Sequence, residues 1–415
     1  MQSNTDYIKV SSYEGKAGEA KKVLLLYSGG LDTSVMLKWI QDNYKCQVVA
    51  LTADLGQQHD DLESIKKKAL KFGAVEAIVL DLKEEFANEY LAKGIKANAS
   101  YQGNYHLSTP MGRAILGKEA VKIAKKLGCD AIAHGCTGKG NDQVRLDGYI
   151  LTEDPKMKII APVREWAMDR NEEIKYAKKH GIPVPASVNF PYSSDDNMWG
   201  ITWEGGEIEE PNLIAPVEKF LTHTLPKDAP NQEELVKLTF EKGLPIALNG
   251  EKLSLAKLTI KLNKIAGKHG VGVVYMFEDR LVGVKNGGVY DLPAAHVIIL
   301  AHKALEKYVS TRNLNEIKEM IDTKWAYLCY GALWFDPAMK AINAFNDFIN
   351  EKATGEVTVK LFKGKADVVA MASPYGLDHT SFSLGGYPFN TNASAGFIEV
   401  YSLQMKLANQ TGKGA

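Results

Sequence analysis

Short apolar runs alternate with amphipathic stretches from Lys22 to about Gly181, and this alternation restricts the fold more than any other feature of the sequence. The run KVLLLY is followed by TSVMLKWIQDNY, CQVVALTA by HDDLESIKKKALKFG, and VEAIVLDL by EEFANEYLAKGI. Short apolar strands separated by amphipathic helices are typical of a parallel sheet with helices on both faces. We therefore predict an α/β domain over residues 1–185, with ligands at the carboxyl ends of its strands.

The pattern changes at HGIPVPASVNFPYSS, where Pro183, Pro185 and Pro191 lie within nine residues. Beyond these prolines, Asn249-Gly250 is a strong two-residue hairpin signal, and GVGVVYMFEDRLVGVKNGGVYDL and EVTVKLFKGKADVVAMA predict further strands. The runs LAKLTIKLNKIAGKHG and AAHVIILAHKALEKYV predict helices. We expect an α+β domain with an antiparallel sheet over residues 186–372.

The final segment, residues 373–415, is rich in glycine and serine and ends in GFIEVYSLQMKLANQ. Its composition is too polar for a core of its own, yet FIEV and LQMKL carry apolar side chains that need a partner. We predict a reaching C-terminal arm with a short helix that takes part in oligomerisation.

Composition narrows the class of protein. A chain of 415 residues is too long for one ordinary hydrophobic core, so two or more domains are expected. The 50 Lys and Arg residues balance the 50 Asp and Glu residues, and this zero net charge argues against a nucleic-acid partner. The four cysteines form no Cys-x-x-Cys pair, as expected for thiols in a reducing compartment. No apolar run approaches the ~20 residues that span a membrane, and the N-terminus lacks the apolar core of a signal peptide. We expect no membrane partner and a cytoplasmic location.

The loop SGGLDTS joins the first strand to the first helix. Successive N–H groups at such a turn bind anions, and Gly29 and Gly30 let the backbone approach one closely. The alternative is a tight turn with Asp32 as the helix N-cap. A carboxylate facing phosphates directly would repel them without a metal between, so Asp32 is interpreted as a cap, a contact to Mg²⁺ or its water, or both.

A second polar stretch, AHGCTGKGNDQVRLD, follows the strand DAIAHG and so lies at the same edge of the sheet. Carboxylates such as Asp142 suit an ammonium group, while amides, hydroxyls and Arg145 suit carboxylates. This set fits a zwitterionic amino acid. The alternative is a solvated polar loop in which Asn141 caps a helix.

These motifs carry a family resemblance. The chain has no Walker loop and no G-x-G-x-x-G after a strand; SGGLDTS instead resembles the loop of the ATP pyrophosphatases, which cleave ATP between the α- and β-phosphates. Together with HGCTGKGNDQVR, TADLGQ, NYHLSTPMGRA, YSSDDNMWGITWEGGEIEEP, FEDRLVGVKNGGVYDLPAA and AGFIEVYSLQMKL, it resembles the argininosuccinate synthase family over roughly residues 21 to 408.

The resemblance implies a homotetrameric ligase that joins citrulline and aspartate, consumes ATP with Mg²⁺, and releases AMP and pyrophosphate through citrullyl-AMP. It implies catalytic roles for Asp32 and Asp142, without protein metal ligands. The implied ATP contacts are Leu26, Tyr27, Ser28, Gly29, Gly30, Leu31, Asp32, Thr33, Ser34, Ala53 and Gly135. The implied aspartate contacts are Thr137, Asn141 and Asp142. The implied citrulline contacts are Tyr105, Asn141, Arg145, Ser193, Thr202, Glu278 and Tyr290.

One position departs from the family pattern. Some relatives have a serine that contacts citrulline where this chain has Pro110, and proline offers no side-chain donor. The group that takes the proton from the aspartate amine is also open between Asp142 and a substrate phosphate oxygen.

Two other classes of function remain as alternatives. A transfer-RNA-modifying enzyme with the same loop would need a basic surface and often a reactive cysteine pair, whereas this chain is neutral and lacks that pair. A non-catalytic nucleotide-binding module would not require the polar residues 137–145 or a long second domain.

Overall fold

A computed structural model describes residues 8–57, 61–166, 168, 170–184, 190–378 and 390–411. The N-terminal part is built on a parallel sheet in the order β3-β2-β1-β4-β5. Its strands are β1 (Lys22–Leu26), β2 (Gln47–Asp54), β3 (Glu76–Asp81), β4 (Ala131–Ala133) and β5 (Lys158–Ile160). Its helices are α1 (Leu31–Tyr44), α2 (Leu62–Lys71), α3 (Lys83–Glu85), α4 (Ala92–Lys96), α5 (Ser108–Leu127), α6 (Asn141–Glu153), α7 (Pro162–Glu165) and α8 (Arg170–Lys179), with a π-helical turn Phe86–Leu91 between α3 and α4.

The first strand shows why helices cover both faces of this sheet. Side chains alternate along a strand, so Val23 and Leu25 point to one face and Leu24 and Leu26 to the other. Val23 and Leu25 belong to a buried cluster with residues of α1. Leu24 and Leu26 belong to a second cluster with residues of α5 and α6. The prediction of a helix-covered parallel sheet is confirmed.

The C-terminal part contains two antiparallel sheets, in the orders β10-β9-β8-β13-β14 and β11-β12-β7-β6. The strands are β6 (Ser193–Asn197), β7 (Gly200–Glu204), β8 (Glu234–Glu241), β9 (Leu244–Leu248), β10 (Glu251–Lys252), β11 (Val273–Glu278), β12 (Asn286–Asp291), β13 (Gly355–Phe362) and β14 (Lys365–Ala372). The helices are α9 (Leu255–Lys268), α10 (Pro293–Val309), α11 (Arg312–Tyr330), α12 (Pro337–Asn350), α13 (Ala393–Tyr401) and α14 (Leu403–Gln410). The predicted α+β architecture with antiparallel pairing is therefore confirmed.

Local sequence signals explain several boundaries in this part. Asn249 and Gly250 have φ angles of 51° and 83° and join β9 to β10, as the two-residue hairpin signal predicts. Helix α9 begins after Ser254, whose side chain accepts from the Lys257 N–H. It ends before Gly270, where a φ of 68° suits the residue that follows a helix C-cap.

One large apolar core joins the two parts of the chain. It contains Phe86 and Tyr90 from the N-terminal part and Trp199, Trp325 and Leu262 from the C-terminal part, all buried. By contrast, α13 and α14 contain no buried residue. In the described part of the chain, no helix is both long and apolar enough to span a bilayer.

Candidate active site

A cavity of about 440 Å³ opens at the carboxyl ends of β1, β2 and β4. Parallel α/β sheets bind ligands at this edge. The sheet β11-β12-β7-β6 closes the opposite side. The lining brings together most of the residues proposed from sequence: Leu26, Tyr27, Ser28, Ala53, Tyr105, Gly135, Thr137, Asn141, Asp142, Arg145, Ser193, Thr202, Glu278 and Tyr290.

The rest of the predicted phosphate loop lies beside this cavity and does not line it. It comprises the turn at Gly29 and Gly30 and the first residues of α1. Gly29 has a φ of 80°, and a Cβ there would lie 2.7 Å from the Ile65 side chain, so the turn requires glycine. The Ser34 hydroxyl donates to the Gly30 carbonyl at 2.7 Å. The hydroxyls of Ser28 and Thr33 are 3.2 Å apart. The N-terminus of α1 and these hydroxyls form an arrangement suited to an anion.

Asp32 is not the N-cap of α1, so that interpretation is wrong. The N-cap is Gly30, no side chain caps the helix, and Asp32 is already the second helical residue. Its carboxylate instead contacts Arg170 at 2.6 Å, and 60% of its side chain is exposed. An acid in the first turn is favourable near the positive end of the helix dipole. The alternative interpretation of Asn141 as a helix cap is also wrong, because Gly140 is the N-cap of α6.

Two cationic side chains flank the Gly29–Ser34 turn. The Lys68 ammonium donates to the Gly29 carbonyl at 2.5 Å, and Arg170 contacts both Asp32 and Glu173. Burial, and then the nearby charge of Asp32, raise the pKa of Glu173 to about 7. The loop is thus bordered by positive charge from α2 and α8, although it has no Walker lysine.

A network of charges surrounds Asp142. Its carboxylate accepts from Arg145 at 2.8 Å and from Arg113 at 2.9 Å, and Arg113 also contacts Asp195 at 2.8 Å. Burial alone raises the pKa of Asp142, but the two guanidinium groups outweigh it and hold the pKa below its usual range. Asp142 is therefore an ionised acceptor, and its side chain keeps 27% exposure toward the cavity.

Asn141 and Arg145 tie α6 to the C-terminal part. The Asn141 amide donates to the Tyr330 hydroxyl at 2.8 Å and its oxygen accepts from the Leu281 N–H at 2.9 Å. Arg145 donates to the Tyr330 carbonyl at 3.2 Å and lies 4.8 Å from the centre of that ring. These contacts hold both side chains in fixed orientations while each keeps donors for a ligand.

The far wall of the cavity is built from tyrosines, threonines and several acids, among them Glu278. The Tyr290 hydroxyl donates to Glu278 at 2.8 Å, and the rings of Tyr290 and Tyr105 are 4.2 Å apart. Thr202 pairs with Tyr290 across β7 and β12, and its hydroxyl is 3.3 Å from that of Thr109. Burial raises the pKa of Tyr105 to about 12 and also raises the pKa of Tyr290, so this wall presents neutral phenols beside its acids.

Pro110 occupies the first turn of α5, as its third residue, and is buried. An N–H in the first turn has no partner inside the helix, so proline is tolerated there. Thr109, directly before it, lines the cavity and offers a hydroxyl at this end of the helix.

Sequence reasoning did not select several residues that the structure places at or beside the site. Arg113 lies inside the motif TPMGRA, and Asp195 lies inside YSSDDN. For Arg113, the position of a charged residue between Gly112 and Ala114 could have indicated a role in the site. Tyr330, Lys68 and Arg170 carry no comparable local signal, because each reaches the site from a different helix.

The same residues fall within a known pair of domains. Residues 22–183 match the family model described as the arginosuccinate synthase N-terminal HUP domain, and residues 192–408 match the model of the arginosuccinate synthase C-terminal domain. The chain is 46% identical over 391 residues to an argininosuccinate synthase of Symbiobacterium thermophilum, covering 93% of this chain and 97% of that one.

Two further relatives come from other organisms. An argininosuccinate synthase of Pyrococcus furiosus is 46% identical over 93% of this chain and 94% of its own length. A chloroplastic argininosuccinate synthase of Arabidopsis thaliana is 42% identical over 96% of this chain and 81% of its own length. With both family models matched and full-length relatives at this identity, the chain belongs to the argininosuccinate synthase family.

Proposed function

We propose that this chain joins L-citrulline and L-aspartate to form argininosuccinate, with conversion of ATP to AMP and pyrophosphate. One observation carries the proposal. A single cavity is bordered by the anion-suited loop at β1, by the charged start of α6, and by the Tyr290–Glu278 wall. A three-substrate ligase needs such distinct binding surfaces within reach of one another, and family membership supports the same chemistry.

The proposed roles follow the three borders of the cavity. The loop beside α1 and the ends of β2 and β4 take ATP, the start of α6 takes aspartate, and the far wall takes citrulline. ATP is assigned to Leu26, Tyr27, Ser28, Gly29, Gly30, Leu31, Asp32, Thr33, Ser34, Ala53 and Gly135. Aspartate is assigned to Thr137, Asn141 and Asp142, and citrulline to Tyr105, Asn141, Arg145, Ser193, Thr202, Glu278 and Tyr290.

The chemistry proceeds in two steps and needs no protein nucleophile. The ureido oxygen is a poor leaving group, so it first attacks the α-phosphorus of ATP, forms citrullyl-AMP and expels pyrophosphate. The aspartate amine then attacks the activated carbon, and AMP leaves with that oxygen. Catalysis is then mainly positioning and electrostatics, and orientation alone can lower a barrier by roughly 7–11 kcal/mol.

The two steps place different demands on Asp142. Its low pKa makes it a weak base but a good partner for the aspartate ammonium. We therefore assign the amine proton to a substrate phosphate oxygen rather than to Asp142. Asp142 keeps the amine next to the activated carbon, and Arg113 and Arg145 hold its carboxylate in place.

A magnesium ion fits this loop as a companion of the phosphates. In the described residues no group of three or more His, Cys, Asp or Glu side chains forms a metal site. Mg²⁺ is commonly held by one or two carboxylates together with substrate phosphates. Asp32, largely exposed beside the loop, would hold it directly or through water, and the ion would neutralise charge on the pyrophosphate.

We further propose a cytoplasmic homotetramer with three functional units: residues 1–185 for nucleotide binding, 186–372 for substrates and subunit contacts, and 373–415 as the oligomerisation arm. The exposed side chains of Phe397, Tyr401 and Met405, each at least 65% accessible, support a partner for the arm.

Product analysis tests the proposed reaction. The purified protein, supplied with ATP, Mg²⁺, citrulline and aspartate, is expected to form AMP, pyrophosphate and argininosuccinate in equal amounts. Omission of aspartate should abolish argininosuccinate. Formation of ADP and phosphate, or AMP release independent of citrulline, would contradict the proposal.

A further inference from the structure

Residues 8–20 form a leading segment that lies outside the family models, the first of which begins at residue 22. The segment is nevertheless attached to the parallel sheet. Glu14 forms a parallel bridge with Ile159, the Gly15 N–H donates to the Ile159 carbonyl at 2.9 Å, and the Ile159 N–H donates to the Tyr13 carbonyl at 3.0 Å. The leading segment therefore extends the sheet beyond β5.

Side chains anchor this segment at points away from the cavity. The Lys9 ammonium is 3.1 Å from the Glu165 carboxylate and donates to the Tyr44 hydroxyl at 2.6 Å. Lys158 donates to the Ser12 carbonyl at 2.6 Å. These contacts fix the segment to α1, β5 and α7.

Tyr13 makes a different kind of contact, to the middle of α6. Its hydroxyl donates to the Asp147 carboxylate at 3.2 Å. Asp147 is only 6% exposed, and its carboxylate also accepts from Arg164 at 2.8 Å and from His134 at 2.6 Å. His134 in turn accepts the Cys136 N–H through Nδ1 at 3.2 Å, so the chain of contacts ends directly before Thr137.

The segment from Thr137 to Gln143, which comprises the loop before α6 and the first residues of that helix, lies between two cavities. Thr137 lines the active-site cavity and also a second cavity of about 630 Å³. The second cavity has Val10, Ser11, Tyr13 and Glu14 on one side and Thr137, Gly138, Lys139 and Gln143 on the other. Thr137, Gly138 and Lys139 are exposed, so the loop before α6 has little packing to fix it and its position depends on individual polar contacts.

We propose that Tyr13 is a positioning residue that sets the affinity for aspartate, acting through Asp147 and His134 on the segment from Thr137 to Gln143. This inference rests on the proposed assignment of aspartate to that segment. The leading segment thereby becomes a part of the substrate site that the family models do not include. We expect the largest effect on aspartate, because the chain of contacts from Tyr13 ends at Cys136, directly before Thr137, which is assigned to aspartate alone.

Tyr13→Phe tests the inference because it removes only the hydroxyl. Loss of one hydrogen bond to a carboxylate should raise KM for aspartate about three- to tenfold, with KM for citrulline and the rate of citrulline adenylation changed less than twofold. The matched control is Lys9→Met, which loosens the same segment at Glu165 and should leave KM for aspartate unchanged. An unchanged KM in Tyr13→Phe, or a parallel rise for all three substrates, would overturn the inference.

Two further measurements separate positioning from general stability. In an Asp147→Ala background, which removes the acceptor of the Tyr13 hydroxyl, Tyr13→Phe should add nothing to the rise in KM, whereas additive effects would contradict the proposed route. Amide hydrogen exchange needs no turnover. Tyr13→Phe should speed exchange over residues 136–143, and unchanged exchange there overturns the inference even if the wild-type protein makes no argininosuccinate. Failure of the wild-type reaction alone would contradict only the proposed function.

Discussion

Replacing Asp142 by Asn separates the two half-reactions. The substitution keeps the shape of the side chain and removes the negative charge that we assign to the aspartate ammonium. The fold should survive, because Arg113 keeps its ion pair with Asp195 and Arg145 keeps its hydrogen bond to the Tyr330 carbonyl. The expected defect is therefore in aspartate binding.

Its magnitude follows from the contact that is lost. A hydrogen bond to a charged group is worth roughly 1.5–3 kcal/mol, and each 1.4 kcal/mol corresponds to about tenfold in binding. KM for aspartate should rise about ten- to a hundredfold. Citrulline adenylation uses neither the amine nor the carboxylates of aspartate, so it should continue near the wild-type rate.

The assay for the first step is positional isotope exchange in ATP, with citrulline present and aspartate absent. Asp195→Asn is the matched control, since it also removes a carboxylate from Arg113 but lies outside the proposed aspartate contacts; its KM for aspartate should rise less than threefold. Exchange abolished in a folded Asp142→Asn protein would place Asp142 in the first step. An equal defect in Asp195→Asn would assign the effect to Arg113.

Three further predictions concern other parts of the chain. Lys68→Met should raise KM for ATP about tenfold, because it removes the cation that contacts Gly29, and an unchanged KM for ATP would contradict this role. Glu173 has a raised pKa of about 7 in the folded protein, so its contribution to the free energy of unfolding is most favourable at low pH and falls as pH rises toward 7. Thermal unfolding should therefore show Glu173→Gln more stable than wild type at pH 8, with the difference gone at pH 5. A difference that is the same at both pH values would refute the raised pKa. Removal of residues 373–415 should lower the particle mass measured by light scattering, and an unchanged number of subunits per particle would exclude the arm from assembly.

The sequence predicted those parts of the fold that depend on local patterns. Alternating strands and helices predicted the parallel sheet, and Asn249-Gly250 predicted the β9–β10 turn through its positive φ angles. No pattern above predicts α11 and α12, although α12 is bounded at its start by Asp336, whose side chain accepts from the Ala338 N–H. The packing of these helices against the N-terminal part is a tertiary feature without a short-range signal.

For the site as well, the sequence predicted what short motifs indicate and missed what depends on tertiary contacts. Family motifs selected residues that the structure brings to one cavity, but they did not reveal that Asp142 is already paired with Arg113 and Arg145. Arg113 lies 29 residues before Asp142, so no local spacing links the two. The interpretation of Asp32 as a cap is wrong because acids are favourable both at the N-cap and in the first turn of a helix. The sequence alone does not show which of the two positions Asp32 occupies, and the structure places it in the first turn.

Oxygen transfer from citrulline tests the proposed function most directly. Citrulline labelled with oxygen-18 in its ureido group, incubated with the protein, ATP, Mg²⁺ and aspartate, should pass the label to the phosphate of AMP. That transfer requires the ureido oxygen to attack the α-phosphorus and leave with AMP. Unlabelled AMP beside argininosuccinate would contradict the citrullyl-AMP route.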